Sequence, residues 1–132
     1  MQNRQTIKTI AFIELLIGVS TILGLAGSSL FGLPGKPANV FIFVLLSAIT
    51  SATIGAGLLA HKQWARTLLV FFSGYIIITK ILIFSDLLHF SGEMITFVSA
   101  GVKNLISVGY HSFVIVFFAR RDVRVYFYGP SE

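Results

Sequence analysis

The sequence predicts an all-α integral membrane protein, a four-helix antiparallel bundle with both termini in the cytoplasm. Of its 132 residues, 55% are hydrophobic and 11% are charged, with a mean hydropathy of +0.88. A soluble domain carries about 25% charged residues. Four apolar stretches each reach the length of about 20 residues that crosses a bilayer as a helix. The net charge is +5, and the basic residues flank these stretches. This distribution is typical of membrane topology, so we expect no nucleic-acid partner. We expect a single membrane domain over residues 1–132.

The first predicted helix covers residues 10–33 and follows a short polar segment that carries Arg4 and Lys8. A basic start, an apolar run and small residues near its end are also typical of a secretory signal peptide. The apolar run is longer than the core of a typical signal peptide, so we expect a retained transmembrane helix. The following segment, 32–37, contains two prolines and two glycines, which end a helix and reverse the chain.

Helix two, residues 39–60, is predicted to be the packing centre of the bundle. Small residues recur every four positions in two adjacent rows, which form one smooth stripe on a helix. The rows are Ser47, Ser51, Gly55 and Ala48, Ala52, Ala56, Ala60. Small side chains let the backbones of membrane helices approach closely, so the stripe indicates helix packing and not lipid contact.

Helices three and four are predicted at 65–88 and 96–119, followed by a tail at 120–132. The link 61–66 is so short that helices two and three must be antiparallel neighbours, and its Trp64 suits the headgroup level. The tail is expected to form a short interfacial helix on an anionic leaflet, although it could also dock a partner. Its basic side carries Arg120, Arg121 and Arg124, and its apolar and aromatic side carries Val123, Tyr126 and Phe127.

The distribution of basic residues sets the predicted orientation. Lys36 stands alone at one membrane face, beside the acidic Asp86 and Glu93. The other flanking basic residues fall on the opposite face: Arg4, Lys8, Lys62, Arg66, Arg120, Arg121 and Arg124. Cytoplasmic loops carry the excess of Lys and Arg, which predicts that both termini are cytoplasmic.

Glu14 is the first candidate for a functional role. A carboxylate at membrane depth is costly and indicates function by default, with a partner to be found. By depth, Arg66, His111 or the Arg120–Arg121 pair could reach it. Glu14 either forms a structural ion pair that ties helix one to the bundle or binds a proton or a substrate.

A polar stripe on helix four is the second candidate. It consists of Ser99, Lys103, Ser107 and His111, spaced by four, with Asn104 beside it. Such a stripe could line a wet cavity or relay protons, because histidine titrates near neutral pH. Hydrogen bonds across the bundle to Ser47, Thr50 or Ser51 are the alternative. Lys80 lies at a similar depth to Lys103, and one of these lysines is expected to snorkel outward or to pair with an acidic residue near 86–93.

The sequence contains no set of residues typical of catalysis. Cysteine is absent, which excludes disulfides and thiolate chemistry. The three histidines lack metal-site spacing, and only Asp86, His89 and Glu93 would share a helical face, if helix three extends that far. Neither a phosphate-binding loop nor a nucleophile elbow nor paired carboxylates are present. We therefore expect a chain that is not an enzyme, with no metal and no cofactor.

Two segments resemble a known kind of protein. Residues 57–66, GLLAHKQWAR, resemble the inter-helix turn of small uncharacterised four-helix membrane proteins of bacteria and archaea. Residues 118–127, FARRDVRVYF, are similar to their ends, with Arg121 where a proline is usual. The resemblance spans all four helices, implies the prokaryotic cytoplasmic (inner) membrane and brings no assigned activity. Small multidrug exporters also place a glutamate in helix one, as Glu14 is placed, but their third-helix signature is missing from 74–85.

From these features we expect a non-catalytic integral membrane subunit or accessory protein that packs against itself or a larger membrane complex. Its partners would be the lipid bilayer and either a homo-oligomer or that complex. The alternative is a small proton-coupled transporter acting as a homodimer. In that case Glu14 and His111 would take protons, and Lys103 with Asn104 would contact an anionic small-molecule substrate.

Overall fold

A computed structural model describes residues 2–31, 38–85 and 100–128, and it confirms the prediction of an all-helical chain. The helices are α1 (Gln2–Leu30), α2 (Ala38–Leu59), α3 (Gln63–Phe84), α4 (Ala100–Ala119) and α5 (Arg121–Tyr128). The first four are long and apolar enough to cross a membrane. A helix of 22 residues, such as α2, is about 33 Å long, close to the thickness of the bilayer core. The finding fits a membrane protein; the orientation of its termini stays a prediction.

The observed helix boundaries differ from the predicted ones mainly at the start of α1. This helix begins at Gln2 because the polar segment contains good helix formers and because Ile7, 1% exposed, already belongs to its buried face. The start of α2 and of α3 agrees with the prediction within two residues. The predicted turn at 32–37, the start of helix four and the possible metal ligands at 86–93 lie outside the described residues.

The chain divides into two compact units, Met1–Ala65 and Arg66–Glu132. In the first unit, α1 and α2 form an antiparallel pair with very close backbones. A Cβ at Gly18 would stand 2.5 Å from the Ala52 nitrogen, and one at Gly55 would stand 2.6 Å from the Leu15 nitrogen. Glycine is therefore required at both positions, because any side chain would enter the backbone of the other helix.

The small-residue stripe predicted on α2 is only partly used in this pair. Ala48 and Ala52 lie against Gly18, and Ser51 and Gly55 are buried beside them. Ala56 and Ala60 are exposed and Ser47 is half-buried. The four residues in contact span little more than two turns, and residues further along the rows rotate away from α1.

In the second unit, α3 and α4 are also antiparallel, but their backbones stay further apart than those of α1 and α2. Long polar side chains bridge the space between them, as described below. After α4, a bend at Arg120 leads directly into α5. Val123 and Phe127 of α5 are buried, and the Phe127 ring lies 6.2 Å from that of Phe118. Residues Arg121–Tyr128 of the tail are thus helical as predicted, and their apolar side packs within its own unit.

The turn between α2 and α3 depends on a left-handed residue, His61, with φ of 55°. The Lys62 amide donates to the Gly57 carbonyl at 2.9 Å, and the His61 amide donates to the Leu58 carbonyl at 3.0 Å. These two bonds form the Schellman motif that ends many helices, usually with glycine at the left-handed position.

We expect His61→Val to destabilise the protein by about 1–2 kcal/mol, because a β-branched residue is strained in the left-handed region. His61→Gly should keep the wild-type stability or exceed it slightly. The measurement is thermal unfolding in detergent, followed by helical circular dichroism. Equal melting temperatures for the Val and Gly variants would show that the turn does not require a left-handed residue.

Candidate functional site

Glu14 lies in the centre of the α1–α2 contact, with only 1% of its surface exposed. The Ser51 hydroxyl oxygen is 2.5 Å from its carboxylate Oε2 and 2.9 Å from its main-chain carbonyl oxygen. One helical turn to either side, Gly18 and Gly55 hold the two backbones in contact. The carboxylate is therefore enclosed within the contact between the two helices.

The α3–α4 pair is held by three polar bridges, which we call the polar rungs. They join Arg66 to the Phe118 carbonyl, Ser73 to His111, and Lys80 to Asn104. Successive rungs are seven residues apart on both helices, so they follow one contact line along the pair. At 1.5 Å per residue, adjacent rungs are separated by roughly 10 Å.

The first rung joins α3 to the last turn of α4 and to α5. Arg66 is 9% exposed and donates through Nε at 3.1 Å and Nη2 at 2.8 Å to the Phe118 carbonyl. A cation at the carbonyl end of a helix also interacts favourably with its dipole. The guanidinium lies 5.6 Å from the centre of the Tyr128 ring. A hydrogen bond from Thr67 and the positive charges of Arg66 and Arg124 lower the pKa of the Tyr128 hydroxyl.

The middle rung contains His111, which was predicted as a proton-binding or packing residue. Its Nδ1 lies 3.1 Å from the Ser73 hydroxyl, the residue is only 9% exposed, and its ring forms T-shaped contacts with Phe72 and Tyr110. The hydroxyl that reaches it therefore comes from α3, whereas the sequence suggested Ser47, Thr50 or Ser51 of α2. Ser73 is completely buried and was not recognised as a site residue.

We expect Ser73→Ala to destabilise the protein by about 1 kcal/mol, because His111 loses its hydroxyl partner inside an apolar contact. The matched control is Ser20→Ala, since the Ser20 hydroxyl is exposed and bonds only to the carbonyl of its own preceding turn. Detergent unfolding of both variants measures the difference. If the two substitutions cost the same, the middle rung contributes nothing to stability.

The third rung pairs Lys80 with Asn104, one of the predicted substrate contacts. The Lys80 Nζ donates to the Asn104 Oδ1 at 2.8 Å. Lys103 is exposed and lies close enough for its positive charge to act on Lys80. In the described part of this unit the only carboxylate is Asp122, near the opposite end of α4. The acidic residues that were predicted as lysine partners lie outside the described residues.

The structure also gives the exposure and contacts of the residues predicted at the membrane interface. Trp64 is 49% exposed, and its ring lies over Gly57, where a Cβ would stand 2.8 Å from Cη2. Arg120 Nε lies 3.6 Å from a carboxylate oxygen of Asp122. Arg121 and Arg124 are exposed, Tyr126 is half-buried and Phe127 is buried.

The four predicted proton or substrate residues are thus divided between the units. Glu14 belongs to the first, and Lys103, Asn104 and His111 belong to α4 in the second. Within the described ranges, no cluster of three or more His, Asp or Glu residues could hold a metal ion. Every buried side-chain nitrogen or oxygen in these ranges has a hydrogen-bond partner. No known family, curated protein or solved structure matches the chain.

Proposed function

We propose that the chain is a non-catalytic integral membrane protein, a subunit or accessory protein that acts by packing against itself or a larger membrane complex. The observation that supports this most strongly is the position of Glu14. A carboxylate that exchanges protons or binds substrate needs a water-accessible cavity, whereas this one is bonded to Ser51 between two backbone contacts. The polar rungs also join one helix to another, since each polar group bonds across the α3–α4 pair.

A second observation concerns glycines that have open space beside them. Nothing lies within 4 Å of a Cβ built at Gly24, Gly27, Gly74, Gly101 or Gly109. Glycine weakens a helix by about 1 kcal/mol relative to alanine. In membrane helices, close packing against another helix usually offsets this cost. Such positions support the docking of further helices, from a second copy or from a partner.

The direct test is purification from native membranes in mild detergent, followed by mass spectrometry of everything retained at a fixed ratio. A stoichiometric membrane partner, or a homo-oligomer of this chain, is expected. A monomer that retains only lipid, in detergents mild enough to preserve known complexes of the same membrane, would contradict the proposal.

Single-cysteine variants can locate the contact, because the natural chain has no cysteine. Gly27→Cys and Gly109→Cys would probe the open glycines, and Leu16→Cys, at an exposed apolar position, would serve as the lipid-facing control. If copies pack through the glycines, oxidant in native membranes should join the glycine variants into dimers much faster than the control. Equal rates at all three positions would indicate random collision.

Proton-coupled transport by a homodimer remains the second candidate because the α3–α4 pair carries polar groups along its length at a wider helix spacing. In this mechanism His111 and Glu14 would take protons, and Lys103 with Asn104 would contact an anionic substrate. It predicts proton release by the reconstituted protein when a substrate is added. Glu14→Gln with unchanged proton-coupled uptake would exclude the version that depends on Glu14.

A further inference from the structure

The apolar side of α5 is already occupied by its own unit. Val123 is completely buried and Phe127 is 6% exposed, with the Phe127 ring against Phe118. An interfacial helix that anchors by hydrophobic insertion needs a free apolar face. The exposed apolar or aromatic residues of α5 are Val125, 41% exposed, and Tyr128, 51% exposed, and the Tyr128 ring already lies beside the Arg66 guanidinium. Hydrophobic insertion is therefore a poor explanation for this helix.

The bend at Arg120 between α4 and α5, which we call the elbow, is strongly basic on its outer side. Arg120, Arg121 and Arg124 are all exposed, and we call them the arginine face. The one acidic residue of the elbow, Asp122, lies beside Arg120 at 3.6 Å. Three arginines and one aspartate give this surface a net charge of +2. Guanidinium groups match phosphate oxygens in a bidentate geometry, so the natural ligand of such a face is a phosphate group.

The position of the arginine face indicates where that phosphate comes from. The candidate span Gly101–Ala119 ends one residue before Arg120, and Arg124 follows within about one further turn. If α4 crosses the membrane, residues directly after its end lie at the depth of the lipid headgroups. Phospholipid phosphates are then the nearest and most concentrated anions.

The elbow is also held in place by contacts within the protein. Arg66 bonds to the Phe118 carbonyl on one side of the bend and contacts the Tyr128 ring at the end of α5. The backbone that carries the arginine face is thus held in place, which lowers the entropic cost of binding a headgroup.

We infer that the arginine face binds the headgroups of anionic phospholipids and that α5 contacts the bilayer through charge, with its apolar side turned to its own protein. The inference goes beyond the proposed packing function and depends only on α4 crossing the membrane. Loss of headgroup binding would leave assembly intact, and loss of assembly would leave headgroup binding intact.

The test is native mass spectrometry of the full chain after equilibration with equal amounts of phosphatidylglycerol and phosphatidylcholine in detergent. Each net positive charge near an anionic surface contributes about 1 kcal/mol, so a face of net charge +2 should retain phosphatidylglycerol about 30-fold over phosphatidylcholine. The preference should fall as salt is raised. In R120Q/R121Q/R124Q it should fall to about twofold or less.

Two matched variants test whether the lipid preference depends on the arginine face, on the total charge of the protein or on guanidinium geometry. R4Q/K8Q/K62Q removes the same charge from three exposed positions of the first unit and should keep most of the preference. R120K/R121K/R124K keeps the charge without the bidentate geometry, so its preference should lie between those of the wild type and the glutamine variant, which also controls for folding. Val125→Ser should have no effect, because little binding depends on its exposed apolar surface.

Four results would overturn the inference. These are a glutamine variant that keeps the full preference, an equal loss in the first-unit control, a loss in Val125→Ser, or complete displacement of phosphatidylglycerol by millimolar inorganic phosphate. The last result would assign the face to a soluble anion. An acidic protein that co-purifies with the wild type and is lost in the glutamine variant, with lipid preference unchanged, would assign it to a protein partner and would equally overturn the inference.

Discussion

A single methyl group at Gly55 is expected to destabilise the protein by about 2–3 kcal/mol, because it cannot be accommodated in the α1–α2 contact. The Cβ of Gly55→Ala would stand 2.6 Å from the Leu15 nitrogen, 2.7 Å from the Ala11 carbonyl oxygen and 2.9 Å from the Leu15 Cα. All three are backbone atoms of α1, so no side chain can rotate away and the whole helix must move.

Gly18→Ala should have a similar effect from the opposite side of the contact. Its Cβ would meet the backbone of α2 at Ala52 and Ala48, at 2.5 and 2.6 Å. In each variant the Ser51–Glu14 hydrogen bond lies one turn away and would lengthen as the helices separate. Its loss leaves a buried carboxylate with one partner fewer, which adds to the steric cost.

The matched control is Gly24→Ala, on the same helix as Gly18 but with nothing within 4 Å of the new Cβ. Alanine is the better helix former by about 1 kcal/mol, so this variant should be as stable as the wild type or more so. Unfolding by SDS in mixed micelles, followed by circular dichroism, gives the free energy of unfolding for all three variants. If Gly18→Ala and Gly55→Ala were as stable as Gly24→Ala, the result would show that α1 and α2 are not in backbone contact.

The close α1–α2 contact could be predicted in part from the sequence. The stripe on α2 was visible as small residues four positions apart, and Gly18 lies on the same face of helix one as Glu14. The partner of Glu14 could not be predicted, because it depends on how far the two helices are shifted along each other. A carboxylate in a membrane helix suggested a cation as a partner, and the closest approach of α1 and α2 adds the Ser51 hydroxyl.

The polar rungs show which residue spacing on helix four follows the contact with α3. The stripe predicted on helix four has a spacing of four residues, which rotates by about 40° at each step around a helix. A spacing of seven rotates by only about 20° in the other direction, so it remains in the contact between two long helices. Asn104, His111 and the Phe118 carbonyl follow the second spacing, and Lys103, on the first, is exposed. The matching signal on helix three was the spacing of residues 66, 73 and 80.

Removing the guanidinium in Arg66→Met is expected to cost about 2–3 kcal/mol and to release α5 from its unit. Hydrogen bonds from a charged group contribute about 1.5–3 kcal/mol when buried, and Arg66 donates two of them to the Phe118 carbonyl. The Tyr128 ring would lose its cation at the same time. Methionine fills a similar length of apolar space but provides no donor.

Release of α5 can be measured through Val123, which is completely buried when the helix is packed. In a Val123→Cys background the only thiol of the chain reports its own exposure. Alkylation by a maleimide in detergent should be slow in this background. When Arg66→Met is added, it should become faster by a factor of roughly 30–150, which corresponds to 2–3 kcal/mol. Arg120→Met is the control, because Arg120 forms only an exposed ion pair with Asp122, which contributes at most about 1 kcal/mol. If Arg66→Met and Arg120→Met gave equal alkylation rates, the apolar contacts of Val123 and Phe127 would hold α5 in place without the arginine. Apolar packing alone would then hold the elbow, with no contribution from the charge of Arg66.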